Sequence, residues 1–127
     1  MSNFRELEDL VIEWSKARKI IPHSTPCAQS RKNLEEAGEL LEATAALKAL
    51  RDVMAMTPDL ANNQAFFMYY ASTLDAVVDA LGDNLVTLIN VAALADLDLV
   101  KALQSAYNVI KDRKGTLLPG GVFVKES

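Results

Sequence analysis

The sequence predicts an all-α protein: a four-helix bundle with a short extended C-terminal tail. Three observations lead there. Apolar residues recur three and four apart along most of the chain, the spacing that lines one face of a helix. The four prolines stand at 22, 26, 58 and 119, leaving long stretches free of helix breakers. Alternation with period two is confined to the tail, and there are no repeats or low-complexity tracts. Helices joined by short connections favour a bundle.

Phe4, Leu7, Val11 and Trp14 mark the apolar stripe of the first helix, which Asn3 and Glu6 start as a capping box and Pro22 closes. Ser24 or Thr25 caps the second, with Pro26 at the tolerated first position. It runs to about Met56, where Thr57 and Pro58 interrupt it; Gly38 is its one weak residue. Residues 57–64 form a connection rich in turn formers. The aromatic cluster of Phe66, Phe67, Met68, Tyr69 and Tyr70 leads into a third helix ending near Ala95. Asp96 or Asp98 caps the fourth, whose buried stripe is Leu99, Leu103, Ala106, Tyr107 and Ile110, and Gly115 fits its C-terminal cap. Pro119, Gly120 and Gly121 make a turn before an extended arm, Val122-Phe123-Val124.

The length of 127 residues suits one domain, 1–127, and 50% hydrophobic with 24% charged residues is a globular balance. A net charge of -4 leaves no broad basic surface for a nucleic-acid polymer. Charge is unevenly spread: no Lys or Arg lies between Arg51 and Lys101, whereas Lys111, Arg113 and Lys114 crowd together. The single cysteine, Cys27, excludes an internal disulfide and a multi-thiolate metal site. The N-terminus lacks a signal-peptide core. The most apolar run, Leu85 to Ala95, is too short to span a bilayer and contains Asn90. A cytoplasmic protein without membrane association is expected.

Carboxylates carry the chemistry. Glu35, Glu36 and Glu39 fall within one helical turn, and Asp79 and Asp83 are four apart on the third helix. Like charges gathered on one face need a compensating cation, and hard ions such as Mg2+ take oxygen ligands. On the third helix Ser72, Asp75, Asp79, Asp83 and Asn90 share one side, while Leu74, Val77, Leu81, Leu85 and Leu88 share the other. A plain amphipathic helix with its acids in water gives that pattern too. The polar stripe is narrow, however, and lacks the Lys and Arg that usually intersperse a solvated face.

Three patches together resemble the MazG-like family of all-α nucleoside triphosphate pyrophosphohydrolases. Lys32-Asn-Leu-Glu-Glu-Ala-Gly-Glu-Leu-Leu-Glu42 is similar to the family's Glu-Glu-x-x-Glu helix. Asp79-Ala-Leu-Gly-Asp83 is similar to its second acidic motif, with Ala80 where the family usually has Glu and Asp79 taking that place one residue earlier. Ala106 to Gly115, followed by Gly121 to Glu126, is similar to the ending of small single-domain bacterial and phage members. The 39 residues between Glu39 and Asp79 exceed the family's usual gap and read as an extended helix and loop.

The resemblance implies hydrolysis between the α- and β-phosphates, yielding a nucleoside monophosphate and pyrophosphate with Mg2+ or Mn2+. It implies Glu36, Glu39, Asp79 and Asp83 as metal ligands, and Glu35 as a further ligand or as the acceptor of the attacking water's proton. Lys32, Asn108, Lys111 and Arg113 are the candidates for phosphate binding. Trp14 can stack on the base, although its place in the apolar stripe favours a core role. The family's dimers and dimers of dimers imply a homodimer or homotetramer here. Two other expectations stand beside this one: a helical oligomer that has lost activity and serves as adaptor or regulator, and a pyrophosphohydrolase for a modified nucleotide such as phosphoribosyl-ATP.

Overall fold

The structure is a computed structural model in which residues 2–126 are described. It is predominantly helical, and its residues divide into two compact units, Met1–Asp96 and Leu97–Ser127. In the first lie α1 (Phe4–Ala17), the short α2 (Ile20–His23), α3 (Pro26–Met56), a 3-10 turn (Pro58–Asn62) and α4 (Gln64–Leu94). The second holds α5 (Leu99–Ile110) and an antiparallel hairpin of β1 (Gly115–Leu117) and β2 (Phe123–Lys125).

Local chemistry sets the ends of these helices. The Glu6 amide donates to Asn3 Oδ1 at 2.9 Å, and the Asn3 amide returns a bond to the Glu6 carboxylate at 3.2 Å. α1 stops at Ala17, five residues before Pro22, because Lys19 turns the chain through the left-handed region at φ 66°. Pro22 lies instead within the kinked α2, after a cis peptide bond. Thr25 caps α3 through its hydroxyl, with Pro26 at the first helical position. Asn63 caps α4, and Asp98 rather than Asp96 caps α5.

α3 and α4 are each 31 residues, about 46 Å long. They form the main packed pair and run antiparallel: Asn33 meets Thr87, Asn84 meets Glu36, and Arg51 reaches Tyr70 at the far end. α1 and α2 lean on α4.

The packing of α4 departs from the amphipathic expectation on its leucine side, while Ser72, Asp75, Asp79 and Asp83 are exposed. Thr73, Ala80, Thr87 and Asn90 of α4 are buried, whereas Leu81, Leu85 and Leu88 stay exposed. In α1 the buried residues are Glu8 and Ser15, and Phe4, Leu7 and Trp14 are exposed. Small and hydrogen-bonded side chains let helix backbones approach closely, so Ala80, Thr87 and Asn90 serve as the seam. Within its own unit, α5 leaves Leu103, Tyr107 and Ile110 of its expected buried stripe exposed.

One further expectation is corrected. Gly115 does not cap α5, which Lys111 ends; it opens β1. There a Cβ would collide with the Val124 carbonyl and the Phe123 ring, so the hairpin needs glycine. The arm 122–124 is largely the second strand of that hairpin. Finally, α4 as a whole is long and apolar enough to cross a membrane by length and composition, with hydropathy 1.5 in its best window.

Candidate metal centre

Facing turns of α3 and α4 bring three carboxylates together. Ligand oxygens of Glu36, Glu39 and Asp83 all lie within 4.8 Å of one another. Glu36 is buried, with its side chain 10% exposed, while Glu39 and Asp83 open to solvent. Glu36 Oε1 lies 3.5 Å from Lys32 Nζ; Oε2 is buried without a hydrogen-bond partner among the described residues. A buried carboxylate oxygen left unpaired is costly, and a cation is one way to satisfy it.

Proximity alters the proton affinity of Glu39. Its carboxyl is raised above the ordinary carboxylate value, first by the charge of Glu36, then by the nearness of that carboxyl as a partner for its proton, and less by burial and Asp83. With both groups ionised only repulsion remains, so a proton held between them is favoured. A divalent cation can take that proton's place. The donor set, three carboxylates and no nitrogen or sulfur, matches a hard ion such as Mg2+ or Mn2+.

A polar network positions the centre. Asn84, next to Asp83, donates to the Glu36 carbonyl at 3.0 Å and to the Ala80 carbonyl at 2.8 Å. Asn33 donates to Thr87 Oγ1 at 2.8 Å and Asn84 Oδ1 at 3.2 Å. Deeper along the seam, Ser15 donates to Asn90 Oδ1 at 2.6 Å, and Asn90 donates to Gln29 at 3.3 Å. These bonds fix the register of Glu36 against Asp83 and tie α1 to the same seam. Asn33, Asn84, Thr87 and Ser15 escaped the sequence reading. The available signal was Thr73, Ala80 and Thr87 at intervals of seven, a small-residue stripe suited to close packing.

Other expected residues lie around this core or apart from it. Asp79 lines a cavity of about 530 Å3 along the α3–α4 groove with Glu39, Glu42, Ala43, Ala76, Ala80 and Asp83. It stands beside the cluster rather than within it. Glu35 is exposed and paired with Lys32 at 2.9 Å. Lys32 bridges Glu35 and Glu36, and its pKa is raised, chiefly by the hydrogen bond to Glu35 and that residue's charge.

Trp14 is no core residue. It is 45% exposed, its ring carries the Arg18 guanidinium at 4.7 Å, and it lines an apolar cavity of about 360 Å3 with Leu7, Leu10, Val11, Val86 and Asp83. Asp83 thus belongs to both the acidic groove and the apolar slot.

Asn108, Lys111 and Arg113 belong to the second unit. There Asn108 accepts a bond from Gln104 at 3.1 Å, and Arg113 lines a small cavity with Asp112, Lys114, Lys125 and Glu126. No family model matches the chain, and no curated protein or solved structure matches it.

Proposed function

We propose that this chain is a metal-dependent nucleoside triphosphate pyrophosphohydrolase of MazG-like type, built on a four-helix bundle and working as a homo-oligomer in the cytoplasm. One observation carries the reading: Glu36, Glu39 and Asp83 converge from two helices around a buried, unpartnered Glu36 oxygen. These are residues of the two acidic motifs on which the family resemblance rests, though they lie far apart in sequence.

In this reading Glu36, Glu39 and Asp83 hold Mg2+, with Asp79 adding a carboxylate from the neighbouring groove. The bound ion would neutralise triphosphate charge and acidify a water for attack. Glu36 supplies the buried anchor, held in register through Asn84 and tethered by Lys32. Glu39, whose proton affinity is already raised, is suited to exchanging a proton for metal. Glu35, the residue just before the anchor and open to solvent, is the candidate acceptor of the water's proton. The base enters the slot beside Trp14, whose exposed ring offers a stacking face. Lys32 is the proposed phosphate contact beside this centre; for Asn108, Lys111 and Arg113, in the second unit, a phosphate role rests on the sequence resemblance alone.

The test is pyrophosphate release from a panel of nucleoside triphosphates and phosphoribosyl-ATP, with Mg2+ or with chelator. Chelator-sensitive release that disappears in Glu36→Gln supports the enzyme. An inert panel alongside a fully folded protein favours the adaptor instead.

A further inference from the structure

Ser15 of α1 is fully buried, and its hydroxyl donates to Oδ1 of Asn90 on α4, itself only 2% exposed, at 2.6 Å. Asn90 is held in that orientation from its other side. Its amide donates to Gln29 on α3 at 3.3 Å, and the Gln29 amide donates to Ser24 at 3.1 Å. One polar chain therefore runs through α1, α4 and α3 and ends at the residue that follows α2. A buried polar pair between helices is costly unless both partners stay in place, so this chain fixes geometry as well as contact.

The Trp14 slot lies one heptad from this pair. Leu7, Val11 and Trp14 share the slot with Asp83 and Val86, while Ser15 meets Asn90, so α1 and α4 run in the same direction. Asp83 stands seven residues before Asn90, about 10 Å along the helix axis. Apolar contact is non-directional and defines the rotation of α1 only loosely, whereas a hydrogen bond in dry surroundings has a preferred direction. We propose that Ser15 and Asn90 are positioning residues for the ligand of this slot: their bond sets the spacing and rotation of α1 on α4, and with them the place of the Trp14 ring. Trp14 adjoins Ser15 in sequence, so any rotation of α1 that breaks the bond sweeps the ring as well. That the ligand is a nucleotide rests on the reading above; the setting of the slot does not.

The carboxylates are held by other bonds. Asn84 joins α4 to the Glu36 carbonyl at 3.0 Å, and Asn33 joins α3 to Thr87 at 2.8 Å; neither bond involves α1. Gln29 and Asn90 stand seven residues from Glu36 and Asp83, on the same two helices. Losing the Ser15 hydroxyl strips Asn90 Oδ1 of its donor and frees α1, while the α3–α4 pair keeps its register. The effect falls on the slot and spares the metal. A serine that merely filled space would lower stability and leave both ligands bound as before.

Trp14 is the single tryptophan of the chain, so its fluorescence reports on the slot directly. Wild type, Ser15→Ala and Ser15→Cys are compared as full, folded chains well below their unfolding midpoints. Acrylamide quenching of Trp14, titration with Mn2+ alone, and binding of α,β-methylene-ATP in the presence of Mn2+ are measured on each. Ser15→Ala should raise the quenching constant and leave Mn2+ affinity unchanged. It should weaken the analogue by up to about 100-fold, the scale of a misplacement of about 1 Å. Ser15→Cys, close in size but a weaker donor, should fall between the other two, and it carries the test if Ser15→Ala does not fold. A folded variant that loses stability yet keeps wild-type quenching and analogue affinity overturns the proposal. So does a fall in Mn2+ affinity as large as the fall in analogue affinity. A wild type that binds Mn2+ but no analogue removes the hydrolase reading instead, and the quenching comparison then decides the role of Ser15 by itself.

Discussion

The side-chain amide of Asn84 donates to the backbone carbonyl of Glu36 at 3.0 Å, linking the two acidic helices one residue from Asp83. Through this bond the position of the buried carboxylate on α3 depends on a neutral residue of α4. Asn84→Ala removes it, together with the acceptor that Asn33 uses at 3.2 Å, although Asn33 keeps Thr87. The stability loss should be about 1–2 kcal/mol, the scale of one or two partly buried hydrogen bonds. Metal affinity should fall roughly 10–100-fold, as for other groups that orient a ligand without touching the ion. Urea unfolding and isothermal titration with Mn2+ measure the two effects.

Glu36→Gln separates charge from shape. The amide preserves packing but cannot act as an anionic ligand, so metal affinity should drop beyond the roughly 10–100-fold typical of orienting residues. Pyrophosphate release should fall to background. The metal-free variant should be no less stable than the wild type at neutral pH, because repulsion with Glu39 and Asp83 is relieved. A large fall in Tm without metal would instead mark Glu36 as a structural residue.

Much of the helical layout was legible because helix ends are written locally. Asn3, Thr25 and Asp98 cap through their own side chains, and Pro58 stands where α3 must stop. The pairing of Glu36/Glu39 with Asp83 was also readable, since like charges on separate helices need a common counter-charge. What misled was the assumption that an apolar stripe marks the packed face of its helix. Thr87 and Asn90 are buried because partners on other elements satisfy them, and those partners lie more than fifty residues away. The leucines then take the outer face. Trp14 was misassigned by the same logic, and the hairpin at Gly115 depended on a contact with Phe123 and Val124 that periodicity does not encode.

The pH dependence of the metal-free protein follows from Glu39. Its folded-state proton affinity is raised above the ordinary value of 4.5, so its contribution to stability is present below that pH. The contribution is lost as pH rises through the higher folded value. Glu39→Gln should abolish this segment of the Tm–pH curve. Saturating Mg2+ should restore stability on the alkaline side, and metal affinity should weaken as acid protonates Glu39. A Tm–pH profile unchanged by Glu39→Gln would contradict the coupling of Glu39 to Glu36.

Trp14 is the residue whose two possible roles give opposite results. A buried tryptophan truncated to alanine costs about 3–5 kcal/mol. Trp14 is half-exposed and bears Arg18 on its ring, so Trp14→Ala should cost clearly less than that. If its face stacks on the base, KM for the nucleotide should rise by the equivalent of about 1–3 kcal/mol, with kcat little changed. Trp14→Phe should recover most of the loss because it keeps an aromatic face in the slot with Leu7, Val11 and Val86. Steady-state kinetics on the three proteins, beside their urea midpoints, separates the roles: a midpoint collapse with KM unchanged would return Trp14 to the core.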